Sequence, residues 1–144
     1  MNAEHLSSLI QFLYTGVPSG TEELLDSDVV FQDPLVVVKG RDSVLSMFRK
    51  LNRMFPKAHV KYLERQQVFT TESRWVLHVS YGGKNIRSRN RFSTFHTELI
   101  IHTSTNGKVN EITEHWDRPF RIRGDGKYPL SNTWRRFLGR LVGI

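Results

Sequence analysis

The sequence predicts an α+β fold, in which helices pack on the concave face of a curved antiparallel sheet. Apolar residues recur with helical spacing from about residue 3 to 15, and again between Asp42 and Pro56. From residue 58 onward they alternate with polar residues instead, which is the period of a half-buried strand. Helices followed by a run of strands are typical of α+β domains, whereas a parallel α/β sheet needs strands and helices in alternation.

Each of the two helices has a clear stop. The apolar stripe of the first helix is Leu6, Leu9, Ile10, Leu13 and Tyr14, and that of the second is Val44, Leu45, Phe48, Leu51 and Phe55. Gly16 follows the first stripe and Pro56 follows the second, and both residue types end helices. Between the helices, residues 29–31 predict a short buried strand that ends at Asp33, because a residue before proline is pushed out of the helical region.

Four consecutive strands are predicted after the second helix. They cover residues 60–69, 75–81, 86–104 and 109–117, and turn-forming residues separate them. The third strand is far longer than the usual five or six residues, so we expect it to bend. We also expect a β-bulge near Ser93, because Phe92 and Phe95 cannot both face inward on a regular strand. These strands form a meander with one dry face and one solvated face.

The C-terminal end adds a basic amphipathic segment. A connection rich in Pro, Gly and Arg covers residues 118–130, and an apolar stripe opposite three arginines follows in residues 131–144. We expect residues 1–130 to form one α+β domain. The last segment is predicted as an extra helix that either packs on the same domain or docks on a partner.

Composition excludes several classes of protein. The chain has 144 residues, a formal net charge of +7 and 38% apolar residues, which excludes a disordered protein. It has no cysteine, which excludes disulfides, thiolate zinc sites and cysteine nucleophiles. No apolar stretch is long enough for a membrane span, and no secretory signal begins the chain. We therefore expect a soluble cytoplasmic protein, with an organelle address left open, and neither a cofactor nor a metal site.

Four short motifs resemble those of a known superfamily. They are Val30–Pro34 (VFQDP), Lys39–Asp42 (KGRD), Asn106–Val109 (NGKV) and Glu114–Asp117 (EHWD). Their order and spacing resemble the nuclear-transport-factor-two-like superfamily, also called SnoaL-like or ketosteroid-isomerase-like, over about residues 3 to 118. The resemblance implies a cone-shaped fold whose apolar cavity binds a small hydrophobic molecule, and it implies a homodimer. Relatives include isomerases, cyclases, dehydratases and epoxide hydrolases, but also non-catalytic transport modules, so fold alone does not decide function.

Glu114 is the most informative candidate residue. In the last strand Ile112, Glu114 and Trp116 share one face, and the two apolar neighbours mark that face as the dry one. Burial favours the neutral form of a carboxyl group, which suits acid–base chemistry. The resemblance implies a working carboxylate at this position. The alternative is a structural role, either near the sheet rim or in an ion pair with an arginine.

The last hairpin decides what lies beside Glu114. A two-residue turn places Leu99 opposite Glu114, and His96 and Glu98 then face solvent. A three-residue loop with a glycine bulge instead places Glu98 opposite Glu114 and His96 opposite Trp116, which would bring two carboxylates and a histidine inside. Packing favours the first register, because it buries Leu99 rather than Glu98.

Asp33 is the second candidate acid. The resemblance implies that an acid here can line the cavity, whereas an Asp before proline more commonly forms a turn with the following backbone. The further candidate ligand-binding residues are Tyr14, Tyr62, Tyr81, Leu99 and Trp116. The alternative for these residues is that they form part of the core.

The basic residues support a second hypothesis. Three alternate along a strand and three lie on the last helix: Arg87, Arg89 and Arg91, then Arg135, Arg136 and Arg140. Nucleic acid is disfavoured, because no aromatic residues accompany the arginines for base stacking. Two functions are therefore compared. The first is a small-molecule-binding protein that uses a cavity carboxylate as an acid–base isomerase, dehydratase or hydrolase. The second is a non-enzymatic module that binds an acidic protein partner or an anionic membrane surface.

Overall fold

The computed structural model describes residues 1–34, 36–56, 58–81 and 93–116. Its elements are α1 (Ala3–Thr15), a short 3-10 turn (Glu22–Leu24), β1 (Leu25–Gln32), β2 (Val37–Lys39), α2 (Arg41–Met54), β3 (His59–Phe69), β4 (Glu72–Tyr81), β5 (Ser93–Thr103) and β6 (Val109–Trp116). The predicted bulge near Ser93 and the start of the third predicted strand lie at or beyond the edge of this part of the chain.

The six strands form one curved sheet in the order β2-β1-β6-β5-β4-β3. The α+β class is confirmed, but the sheet is mixed rather than wholly antiparallel. The exception is the parallel pair of β1 and β6, in which Phe31 lies beside Ile112. This pairing joins the first and last strands, and no local sequence pattern encodes a contact between residues so far apart along the chain.

The helix boundaries agree with the prediction. The Asn2 side chain accepts a hydrogen bond from the His5 amide at 2.9 Å, which begins α1, and Gly16 ends it in the left-handed conformation at φ 81°. Gly40 precedes α2 at φ 88°. In contrast, β1 is longer than the predicted residues 29–31, and β2 was not predicted.

Both helices pack on the inner face of the sheet and bury the core. The Phe48 ring of α2 meets the rings of Tyr14 and Phe31 edge to face, with centroids 5.4 and 5.1 Å apart. On the sheet, Leu77 and Leu99 are almost fully buried. Within the described ranges, neither helix has the length and hydropathy needed to cross a bilayer.

The last hairpin has the favoured strand register but a longer turn than that register predicted. Its turn is the longer type: Ser104 pairs with Lys108 through a 2.8 Å backbone hydrogen bond, and Gly107 adopts a positive φ of 79°. A register shift then follows, because Thr103 pairs with Val109.

That shift restores the register that packing favours. His102 pairs with Glu111, so Asn110 is the extra residue of a bulge. From there Leu99 lies opposite Glu114, which confirms the favoured pairing. The turn length was therefore mispredicted, and burial of the apolar face decided the register.

Candidate functional site

Glu114 is a buried carboxyl group on the inner face of β6. Only 7% of the residue is exposed, and it lies between Ile112 and Trp116 on the same face. Across the ladder it meets Leu99, which is 1% exposed. The side chain is thus directed toward the helices, as the alternation along the strand predicted.

Three polar side chains from three elements lie close enough to Glu114 to favour its ionised form. They are the indole of Trp116, the phenol of Tyr14 and the hydroxyl of Thr97. Tyr14 reaches the site from the last turn of α1, where its ring packs against Phe48. Thr97 is buried on β5 and pairs directly with Trp116. The polar groups around this carboxyl therefore come from one helix and two strands.

The environment favours the protonated form of Glu114. Burial is the main cause, and the negative charge of Asp33 is the second; together they raise the pKa of Glu114 from 4.5 to about 7. The donor groups of Trp116, Tyr14 and Thr97 act in the opposite direction on the pKa of Glu114, because they favour the ionised form. At neutral pH both protonation states are populated.

Asp33 reaches the site through the parallel strand pair. Gln32 pairs with Thr113, so Asp33 follows β1 at the level of Glu114. Its Oδ1 accepts a hydrogen bond from the Val36 amide at 2.7 Å, and its own amide donates to the Val36 carbonyl at 3.0 Å. Asp33 therefore forms the turn and also acts on Glu114 by its charge.

The site has a closed side and a partly exposed side. Tyr14 and Phe31 are almost fully buried, at 1% exposure each. Asp33 and Trp116 are only partly buried. Among the described residues around Glu114, Asp33 and Trp116 therefore form the exposed edge of the group.

Tyr62 lies far from this group. It is on β3, three strands from β6, which corresponds to about 14 Å across the sheet. Its hydroxyl donates a 2.6 Å hydrogen bond to the Ser7 carbonyl, and its ring packs on Trp75. Tyr62 thus ties α1 to the sheet, and it does not join Glu114.

The alternative register does not occur. Glu98 pairs with His115 on the outer face of the sheet, as the favoured register predicted, and it does not face Glu114. The backbone of His96 pairs with His78. The side chains of His96 and Tyr81 lie outside the described part of the structure.

The predicted basic surface also lies outside the described residues. This applies to Arg87, Arg89 and Arg91 and to Arg135, Arg136 and Arg140. Within the described ranges, no three His, Asp or Glu side chains cluster closely enough to hold a metal ion.

Thr97 is a site residue that the sequence analysis missed. It precedes Leu99 and Ile101 by two and four residues, so the period of the strand places it on the same inner face. Extending the favoured pairing by one step also sets Thr97 opposite Trp116. The strand period therefore could have identified Thr97. Threonine is common in β-strands, however, so its residue type alone does not indicate a functional role.

Comparison with known proteins identifies the fold. No protein-family model and no curated protein sequence matches the chain. Solved structures do match it. A hypothetical protein with a ketosteroid-isomerase-like fold from Catenulispora acidiphila, in complex with trimethylamine, has a TM-score of 0.65 and 10% identity over 79% of this chain and 85% of that one.

Two further structures carry names of enzymes. One is SalBIII, an epoxide hydrolase/cyclase-like enzyme with a role in pyran ring formation in the polyether salinomycin. It has a TM-score of 0.64 and 14% identity over 78% of this chain and 88% of that one. A protein assigned as a SnoaL-like polyketide cyclase, from Jannaschia sp., has a TM-score of 0.62 and 11% identity over 79% and 85%. Identities this low establish architecture alone. The chain therefore has the fold of the nuclear-transport-factor-two-like, SnoaL-like and ketosteroid-isomerase-like proteins.

Proposed function

We propose that this protein binds a small apolar molecule at the inner face of its sheet and that Glu114 exchanges a proton with it. The reaction class is acid–base isomerisation, dehydration or hydrolysis. One observation carries this proposal: Glu114 is buried among neutral donors and a second carboxylate, which places its pKa at about 7. General acids and bases work best when their pKa lies near the working pH.

The two protonation states of Glu114 have different uses. The neutral acid donates its proton to an oxygen that gains negative charge, such as the oxygen of a carbonyl or of an opening epoxide. The ionised form takes a proton back, for example from a carbon next to a carbonyl. Because the group is shielded from bulk water, its charge interacts strongly with a bound molecule.

Tyr14 and Asp33 assist Glu114 in this proposal. The phenol of Tyr14 is within hydrogen-bonding reach of Glu114, so it can also donate to the oxygen that Glu114 protonates. Asp33 keeps a share of Glu114 protonated through its negative charge and stands at the partly exposed side of the site. Leu99 and Trp116 supply apolar contact beside the carboxyl group.

The structural neighbours support a small-molecule role. Their names refer to an epoxide hydrolase/cyclase-like enzyme in pyran ring formation and to a SnoaL-like polyketide cyclase. This chain has the fold of those proteins and also a buried carboxyl group at Glu114. The combination favours a small-molecule function over a purely structural role for Glu114.

The test is to measure binding and turnover with a matched pair of variants. Native mass spectrometry identifies small molecules that copurify with the protein, and a panel of apolar ketones and epoxides is then screened for conversion. Glu114→Gln keeps the size of the side chain but cannot exchange the proton, so we expect turnover to fall by about 100-fold or more.

Glu98→Gln is the matched control. Glu98 lies on the outer face of the neighbouring strand, so its amide variant should convert the substrate at the wild-type rate. Wild-type turnover by the Glu114→Gln protein, or an equal loss in both variants, would refute the catalytic role.

A further inference from the structure

A groove on the helical side of the molecule is separate from the Glu114 site. It has a volume of about 310 Å³ and lies between α1, the 3-10 turn and α2. Its floor is apolar and consists of Phe12, Leu45 and Phe48. Arg49 and Arg53 line it from α2, and Glu22 lines it from the 3-10 turn.

The cationic side of the groove has no ion-pair partner in the described part of the chain. Arg49 and Arg53 are one helical turn apart, so their side chains lie on the same face of α2. Both are exposed, and among the described residues neither forms an ion pair. Glu22, the acidic residue of the lining, accepts a 2.7 Å hydrogen bond from the Gly20 amide and so is held in its own turn.

We propose that this groove binds a small amphipathic carboxylate. The apolar body would lie on Phe12, Leu45 and Phe48, and the carboxylate would bind the guanidinium groups of Arg49 and Arg53. Arginine side chains suit this role, because a guanidinium group matches the two oxygens of a carboxylate.

The size of the groove favours a small molecule over a peptide or another macromolecule. Its volume lies at the lower end of the range of small-molecule pockets, which begins at about 300 Å³. One anionic group is sufficient, because two arginines and one glutamate leave a single net positive charge in the lining. The site does not use Glu114, so it stands independently of the proposed function.

The test uses octanoate as the probe and 1-octanol as its uncharged counterpart. Octanoate is titrated into the full chain, and NMR follows the backbone amide signals of Phe12, Leu45 and Phe48 and of Asn52, which also lines the groove. We expect saturable shifts with octanoate and at least 10-fold weaker binding of octanol, because octanol lacks the charge that Arg49 and Arg53 recognise.

Three variants test the charges. The Arg49→Gln/Arg53→Gln double variant is expected to bind octanoate at least 10-fold more weakly. Lys39→Gln/Lys61→Gln removes the same net charge from exposed positions outside the groove and should bind as the wild type does. Glu22→Gln keeps an acceptor for the Gly20 amide and should bind several-fold more tightly.

Several results would overturn the proposal. Octanoate that does not bind saturably, octanol that binds equally well, or equal weakening in the two double variants would each do so. Shifts confined to the inner face around Glu114 would place the probe at the other site and exclude the groove. Thermal unfolding of each variant checks that a change in binding does not come from a change in fold.

Discussion

The two faces of the sheet hold their carboxylates in opposite ways. On the outer face, Glu72 is 17% exposed and lies 3.6 Å from Arg74 and 3.8 Å from His102. On the inner face, Glu114 is surrounded by the neutral donors Tyr14, Thr97 and Trp116 and by the negative charge of Asp33. Glutamates on two strands of one sheet therefore have quite different electrostatic surroundings.

The difference teaches how this fold prepares a carboxyl group for chemistry. On the outer face, the carboxylate of Glu72 has the guanidinium group of Arg74 within ion-pair distance and is partly open to solvent. A buried carboxylate with hydrogen bonds but beside a second negative charge is poised between its two forms. Four changes test this contrast, from the largest expected effect to the smallest.

The largest effect concerns packing on the two faces. Leu77 is fully buried on the inner face, so Leu77→Ala should reduce the free energy of unfolding by about 2 to 5 kcal/mol through lost burial and a new cavity. Its neighbour Val76 points outward and is only partly buried, so Val76→Ala should cost less than about 1 kcal/mol. Urea unfolding measures both values, and equal losses would contradict the assignment of the dry face.

The second effect is a pH dependence of stability. Because the pKa of Glu114 is raised from 4.5 to about 7, the folded state binds more protons than the unfolded state between these values. The contribution of this group is complete below about pH 4.5 and is lost as the pH rises through about 7, a loss of about 3 kcal/mol.

Urea unfolding across this pH range, with Glu114→Gln as the comparison, measures that loss. Glutamine stays neutral, so the stability of Glu114→Gln relative to wild type should rise with pH by about 3 kcal/mol. The Glu98→Gln protein should keep the wild-type pH profile. A Glu114→Gln profile parallel to that of wild type would show that Glu114 is not buried as a poised acid.

The third effect tests the influence of Asp33. Asp33→Asn removes the negative charge but keeps an oxygen for the Val36 amide, so the pKa of Glu114 should fall from about 7 toward 4.5. Carbon-13 NMR of the glutamate side chains during a pH titration measures this pKa. Asp28→Asn, an exposed change on β1, the strand that Asp33 follows, is the control and should leave the titration unchanged. A Glu114 pKa that stays constant or rises in Asp33→Asn would contradict the electrostatic link.

The smallest effect belongs to the outer face. Glu72→Gln removes an ion pair with Arg74, whose side chain is exposed, and a contact with His102 that is an ion pair only when the histidine is protonated. We expect a loss of about 0.5 kcal/mol at low salt. The loss should disappear in about 1 M salt, because the screening length is then shorter than the contact distances. Stability measured at both salt concentrations decides the point. A loss above about 2 kcal/mol, insensitive to salt, would mean that the outer face is not solvated here.

Much of the fold could be predicted from local patterns. The stripe through Leu6 and Leu13 located α1, and the alternation along β4 and β6 located the dry face. The inward direction of Glu114 followed from its position between Ile112 and Trp116. These are short-range properties, because the period of apolar residues reflects which side of one element is buried.

The site as an assembled group could not be predicted in this way. Tyr14 and Asp33 were candidates for separate reasons, and nothing in their spacing showed that both act on Glu114. Asp33 arrives there only because β1 pairs in parallel with β6. Tyr14 arrives because α1 packs over the inner face beside Phe48.

The sequence by itself determined which segments form helices and which form strands. It also determined which face of the sheet is dry and that this face carries the carboxyl group of Glu114. Only the tertiary structure decided which residues surround Glu114. The parallel strand pair brings Asp33, the helix α1 brings Tyr14, and the bulge at Asn110 keeps Leu99 opposite Glu114. The physical reason is range. Hydrophobic periodicity acts within one element, whereas the pKa of a buried carboxyl group depends on charges and donors that distant parts of the chain bring within a few ångströms.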